Sequence, residues 1–355
     1  MRVSRRDFLK MAAYAAAATG VSQFDIARLQ KVMAAAGDQL PVIWFEGLGD
    51  SGCVVSLANY FDGVSSGIDS VLLNNIELKF SSVLMGASGQ LAIDEAEKVY
   101  QGTQPYDQPY VLVVTGGISN VDGYCIVGED SNSGNTIPNG VMEMVDAFSR
   151  WQFRATYVLF VGSCACYGGV NTIGGTKDPD GHFPAGQNIP FTTPPTHDVS
   201  EPYGDFVQIE NYDYTKSVFI PGCPAHPDWI VLTIVHLLTF GMPTRDNFGR
   251  PLSLMGQNIF GETVHQNCPR KLQHDLGNFA DSVGDSDKCL VKVGCMGKKT
   301  FCPCPVQGWN NADTYNSGKL AYCNAPGVNH LCIGCTQPSF PDVPFNRKID
   351  NITFP

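Results

Sequence analysis

The chain has 355 residues, 43% of them hydrophobic and 16% charged, which is enough for two domains with buried cores and too apolar for a disordered protein. Its formal net charge of −11 argues against nucleic acid or an anionic membrane surface as the principal partner. Its thirteen cysteines are more than packing alone requires.

In chain order, the first segment reads as a targeting signal. Ser4-Arg5-Arg6-Asp7-Phe8-Leu9-Lys10 has the twin-arginine pattern, an alanine-rich stretch runs from Met11 to Val21, and Ala34-Ala35-Ala36 offers a cleavage site. Residues 1–36 are therefore set apart as a signal segment, which predicts a periplasmic location or one on the outer face of the cytoplasmic membrane. No stretch reaches the ~20 apolar residues of a membrane span. The longest run, Trp229 to Phe240, is too short and contains His236. Twin-arginine substrates cross the membrane folded, so metal centres can be loaded in the reducing cytosol. The odd cysteine count and the Cys-x-x-Cys spacing read as metal binding, not as a disulfide framework.

From residue 37 to about 240, short β-branched runs alternate with helical patterns. Val42–Phe45, Tyr110–Val114, Tyr157–Val161 and Val218–Ile220 read as buried parallel strands, each leading towards a glycine-containing loop. Asp94–Tyr100, Gly140–Phe148 and Asp228–Leu238 carry helical apolar spacing, so the order is that of βαβ units. Open parallel sheets place their ligands beyond the carboxyl ends of the strands. Asp50, Cys53, Cys164 and Cys223 are therefore expected to converge on one sheet edge.

Past residue 240 the texture changes. Gly, Pro, Asn and Cys replace the strand-like runs, and residues 241–355 read as a second domain whose metal centres supply much of its folding energy. It holds His265, Cys268, Cys289, Cys295, Cys304, Cys323, Cys332 and Cys335. Such soft donors suit zinc or iron–sulfur clusters. A structural zinc closes with four ligands, and here there are enough for two centres besides the set upstream. The pattern points to electron transfer.

Four motifs sharpen this reading: Pro221-Gly222-Cys223-Pro224-Ala225-His226-Pro227, Val264-His265-Gln266-Asn267-Cys268-Pro269-Arg270, Val293-Gly294-Cys295-Met296-Gly297 and Cys332-Ile333-Gly334-Cys335. Together they resemble those of the small, electron-transferring subunit of nickel–iron hydrogenases, and the similarity runs from the signal to Phe340. The resemblance implies a flavodoxin-like, doubly wound parallel α/β sheet followed by an irregular iron–sulfur domain. It also implies three clusters relaying electrons between a nickel–iron site in a separate large subunit and an external acceptor, such as a cytochrome or a quinone-linked subunit. Hydrogen is cleaved in the large subunit, hydrogen uptake is the expected direction, and this chain supplies no catalytic residue.

Carried over residue by residue, the distal [4Fe–4S] cluster takes His265, Cys268, Cys289 and Cys295. The medial cluster takes Cys304, Cys332 and Cys335, with Cys323 near the place where many members have a proline and a three-iron cluster. Ligation by Cys323 implies a medial [4Fe–4S] cluster, and its absence a [3Fe–4S] one. The alternatives are that Cys302 ligates or that Cys323 is a buried thiol.

At the proximal cluster the family pattern is Cys-x-x-Cys, whereas this chain reads Asp50-Ser51-Gly52-Cys53. The expectation is a [4Fe–4S] cluster held by Cys53, Cys164, Cys223 and the carboxylate of Asp50, a harder and weaker donor than a thiolate. Asp50 acting as a helix cap, or Cys166 taking its place, are the alternatives. Two further cysteines present in some oxygen-tolerant members fall at Gly52 and Gly169. Glu46 and Thr115 stand where His and Glu are common, and Glu46 is either a proton-relay residue or a carboxylate bonded to backbone amides. Cys125, Cys166 and Cys302 read as buried, inert thiols. The rival reading is a stand-alone multi-cluster iron–sulfur electron carrier. A related fold serves in respiratory complex I, where the His265-to-Cys335 domain is not expected.

Overall fold

The computed structural model describes residues 40–60, 67–74, 76–102, 109–118, 126–129, 140–169, 214–285, 287–309, 322, 323, 325, 328, 330–338 and 340. The signal segment and Cys125 lie outside the described residues.

The strands are β1 (Leu40–Glu46), β2 (Ile76–Ser81), β3 (Val111–Thr115), β4 (Ile126–Glu129), β5 (Val141–Glu143), β6 (Tyr157–Val161) and β7 (Ser217–Ile220). Five of them form one parallel sheet in the order β2-β1-β3-β6-β7, while β4 and β5 make a separate antiparallel pair. Numbered among themselves, the parallel strands run 2-1-3-4-5, the flavodoxin-like doubly wound order. The expected fold class is the one observed.

Both sheet faces are covered, which is why the central strands are apolar at nearly every position. Along β1, Ile43 and Phe45 enter one layer with Val114, Phe148, Trp151 and Phe160. Val42 and Trp44 enter the other with Val113, Val161, Trp229 and Ile230. Helices α1 (Gly52–Ala58), α2 (Ile68–Asn74), α3 (Gln90–Gln101), α4 (Met144–Arg154), α5 (Ser163–Tyr167) and α6 (Pro227–Phe240) surround the sheet. Residues of α3, α4 and α5 belong to the first layer, and residues of α1, α2 and α6 to the second.

Two elements depart from the sequence reading for identifiable reasons. Strand β2 is one edge of the sheet, and its partly exposed Glu77 and Lys79 break the apolar run that marks the buried strands. Helix α4 starts at Met144, not Gly140, because Val141–Glu143 pair with β4. The helix then opens with a capping box, in which Asp146 Oδ2 accepts the Glu143 amide at 3.1 Å.

Beyond α6 the chain is irregular, with helices α7 (Lys271–Asp275) and α8 (Cys304–Gln307) among its few regular turns. This region packs on the α6 side of the sheet. Leu254, Ile259, Phe260, Val264, Cys302 and Cys332 all join the second layer. Arg250, 2% exposed, pairs with Asp246 at 2.6 Å and donates to the Thr336 carbonyl at 3.0 Å. Among the described residues, no helix is long and apolar enough to cross a membrane.

Candidate metal centres

The carboxyl ends of β1, β3, β6 and β7 open into one cavity, and Asp50, Cys53, Cys164 and Cys223 line it together with Glu46 and Thr115. Each donor follows directly from a strand. The loop after β1 delivers Asp50 and Cys53 into the start of α1, the turn after β6 delivers Cys164, and the turn after β7 delivers Cys223. Gly162, at φ +89°, makes room for this: a Cβ there would overlap the Cys53 sulfur.

Ser163 clamps two of these turns together. Its amide donates to the Gly222 carbonyl at 2.9 Å, and its hydroxyl accepts the Gly222 amide at 3.0 Å. The same hydroxyl donates to the Cys335 carbonyl. Nothing in the sequence marks this serine beyond its place between Gly162 and Cys164.

Asp50 does two things at once. Its Oδ1 accepts the Gly52 amide at 2.9 Å, the turn that leads into α1, while the carboxylate lines the cavity. A carboxylate has acceptor capacity for both. Cys166 is fully buried in the opposite sheet layer and donates to the Phe160 carbonyl at 3.2 Å. It packs as a small apolar group and is not among the residues lining the cavity. A side chain at Gly169 would come within 2.9 Å of the Cys164 backbone, so an additional cysteine there has no space in this turn.

Glu46 closes the cavity on the β1 side. Burial raises its pKa, against hydrogen bonds from Ser51, and the charge of Asp50 adds to the rise. Its Oε2 is buried and has no hydrogen-bond partner among the described residues.

A second group gathers Cys304, Cys323, Cys332 and Cys335. Burial pushes the Cys323 thiol up to about 11 and the Cys332 thiol to about 12, and in both the neighbouring Cys304 adds to the effect. Cys335 is raised well above the ordinary thiol range by burial and then by Cys304, Cys323 and Cys332, so it lies close to the other three. Cys302, 1% exposed, sits against this group with its Sγ 2.8 Å from that of Cys304.

The third group comes from the loops around α7. Burial raises the Cys268 thiol and neighbouring Cys289 adds to the rise, while Cys295, pushed to about 12 chiefly by burial, is influenced by Cys268. His265 is joined to them through the backbone. Its carbonyl accepts the Cys268 amide at 3.2 Å, and its own amide donates to the Gly297 carbonyl at 2.9 Å. The His265 ring stands edge-on to His274 with centroids 4.5 Å apart. Burial lowers its pKa first, followed by His274, Lys298 and Lys271, so the imidazole is held neutral, the form that ligates a metal. His265, His274 and Asp275 also bring their own donor atoms within 4.8 Å of one another.

The donor chemistry fits metal clusters. None of the twelve cysteines among the described residues is held in a disulfide. Burial alone would keep these sulfurs protonated, yet backbone amides are aimed at them: Ala225 at Cys53, Arg270 at Cys268, Val291 at Cys289, Gly297 at Cys295 and Gly334 at Cys332. Amides pointed at sulfur stabilise thiolates, and a coordinated cation removes the remaining cost of ionising them.

Comparisons with known proteins agree with this architecture. The family model for the C-terminal part of the NiFe/NiFeSe hydrogenase small subunit matches residues 260–346. The model described as NADH ubiquinone oxidoreductase, 20 Kd subunit, matches residues 51–237. The periplasmic [NiFeSe] hydrogenase small subunit of Desulfomicrobium baculatum is 30% identical over 352 residues, covering 96% of this chain and 97% of its own. The periplasmic [NiFe] hydrogenase small subunit of Solidesulfovibrio fructosivorans is 28% identical, covering 96% and 91%. A structure of the recombinant [NiFeSe] hydrogenase of Desulfovibrio vulgaris Hildenborough superposes with a TM-score of 0.66 at 31% identity, over 88% of this chain and 98% of that one. The chain belongs to the small-subunit family of nickel–iron hydrogenases, which function in complex with a large subunit.

Proposed function

We propose that this chain is the electron-relay subunit of an exported nickel–iron hydrogenase, working in the direction of hydrogen uptake. The proximal [4Fe–4S] cluster is assigned to Asp50, Cys53, Cys164 and Cys223, and the medial four-iron cluster to Cys304, Cys323, Cys332 and Cys335. The distal [4Fe–4S] cluster is assigned to His265, Cys268, Cys289 and Cys295. Bound there, such clusters store and pass single electrons at potentials set by ligand type, hydrogen bonds to sulfur and burial.

One observation carries this reading: the loops that bear the three donor groups are hydrogen-bonded to one another in series. The hydroxyl of Ser163, next to Cys164, donates to the Cys335 carbonyl, and the amide of Met296, next to Cys295, donates to the Cys332 carbonyl at 2.8 Å. Successive donor groups therefore adjoin through their own loops, as a relay requires. The protein's part is to fix these positions, exclude water and direct amides at the sulfurs.

The large subunit is assigned to the mouth of the first cavity, where Gly49 and Asp50 are exposed. A heterodimer interface of ordinary size buries such a mouth. The twin-arginine motif supports a periplasmic site of action, and the relatives named above carry that location in their names. Domains are assigned to residues 37–240, with the proximal cluster, and 241–355, with the other two. A cytochrome or a quinone-linked subunit is the proposed acceptor.

The test is metal analysis of the anaerobically purified complex. About twelve irons, with matching acid-labile sulfide, are expected on this chain, together with nickel in a co-purifying subunit and hydrogen-dependent dye reduction. A monomeric product carrying the same iron but no nickel-bearing partner favours the stand-alone carrier instead.

A further inference from the structure

The medial group holds five thiols where a four-iron cluster has four corners. Cys302 is the surplus one, and its surroundings differ from those of an inert core cysteine. Cys166 turns its sulfur to a backbone carbonyl among apolar side chains. Cys302 instead turns its sulfur to that of Cys304, at 2.8 Å. The segment is fixed on both sides. The Cys302 amide donates to the Glu262 carbonyl at 3.1 Å, Phe301 bridges Thr263, and the Phe301 carbonyl accepts the Thr336 hydroxyl at 2.9 Å. Cys304 then opens α8.

The spacing matters because a metal–thiolate bond is about 2.3 Å long, as at zinc. A metal bound to the Cys304 sulfur lies within reach of a second sulfur 2.8 Å away after a small side-chain rotation. The geometry points to Cys302 as a standby ligand for the medial iron held by Cys304, able to take that iron when the Cys304 bond opens. This rests on the medial cluster proposed above. No redox change is involved: one iron–sulfur bond breaks, another forms, and the proton on the Cys302 thiol passes to the released Cys304 thiolate beside it.

Three variants of the purified heterodimer test this, read by iron and sulfide content and by the Mössbauer and electron paramagnetic resonance spectra of the medial cluster. Cys302→Ala is expected to keep the full complement of iron and an unchanged spectrum. Cys304→Ala is expected to keep that complement with an altered medial spectrum, and the double variant to lose at least one medial iron. If Cys304→Ala loses iron to the same extent as the double variant, or neither accumulates while Cys302→Ala does, Cys302 does not substitute and the inference fails. If Cys302→Ala alone loses iron, Cys302 is the resident ligand and the standby role is equally excluded. A double variant with an intact medial cluster removes the medial assignment itself, a separate failure. Cys304→Ser gives a second check: its spectrum should show all-sulfur ligation, and oxygen ligation only once Cys302→Ala is added.

Discussion

The hydroxyl of Ser163 donates to the carbonyl of Cys335, joining the turn after β6 to a loop 172 residues further along the chain. The same hydroxyl accepts the Gly222 amide at 3.0 Å, which ties the turn after β7 into the joint. The sheet and the cysteine-rich region therefore meet at the proposed ligand positions, where hydrogen bonds hold the first two donor groups in register.

Removing that joint should cost stability. Ser163→Ala leaves the Gly222 amide buried without its side-chain acceptor, a loss of about 1–3 kcal/mol. Thermal unfolding of the complex should show a lower melting temperature, with the first centre the most perturbed spectroscopically. A melting temperature equal to that of the parent protein would count against the clamp.

Asp50 can be separated into its two roles by substitution. Asp50→Asn keeps an oxygen for the Gly52 amide, so the turn into α1 survives while the anionic donor is lost. Asp50→Cys restores a thiolate, a softer and stronger iron donor. Both are expected to shift the potential or spectrum of the proximal cluster, the cysteine variant towards an all-cysteine site. If neither variant changes that signal, Asp50 is a turn residue only.

Gly162→Ala puts a methyl group into the space of the Cys53 sulfur and forces a non-glycine residue to φ +89°. At φ 89° and ψ 152°, a region essentially reserved for glycine, the backbone strain alone is worth about 1–3 kcal/mol, and the overlap prevents Cys53 from reaching the site. Iron content should fall by roughly one cluster of three, with hydrogen-dependent dye reduction lost and the other two signals retained. Retention of all three clusters would place the Cys53 sulfur elsewhere.

His226 predicts an acid-sensitive fold. It is 1% exposed, its Nδ1 accepts the Asp228 amide at 3.2 Å to cap α6, and burial lowers its pKa to about 4. Above the ordinary histidine pKa of about 6.5, the ring is neutral whether the chain is folded or unfolded. As the pH falls, the unfolded chain takes up a proton that the folded chain refuses until about pH 4. Stability is therefore lost between these limits, on the order of 3 kcal/mol in total. His226→Asn should flatten the pH dependence of denaturant unfolding over that window. An unchanged slope would assign the acid sensitivity to other groups.

Much of this was legible in advance because its signals are local. The strands ending near Asp50, Cys164 and Cys223 are continuous apolar runs, and such runs followed by glycine identify buried parallel strands without any knowledge of their neighbours. Strand β2 was not legible, since an edge strand with Glu77 and Lys79 carries no such run. The beginning of α4 was misplaced for a related reason: Val141–Glu143 are helix-compatible residues drawn into pairing by β4.

The cysteines divide along the same line. Spacing identifies Cys332-x-x-Cys335 and His265-x-x-Cys268 as donor pairs, because neighbours in sequence must be neighbours in space. Cys166 and Cys302 look alike as spare thiols, and only the folded chain separates them. One is carried into the core by α5, and the other is held against Cys304. The sequence determined the donor inventory, the parallel sheet and the strand ends, since these depend on residue type and short-range periodicity. Tertiary structure alone decided which donors touch, which glycine makes room for a sulfur, and that Ser163 ties two regions together, because those relations join residues brought close only by packing.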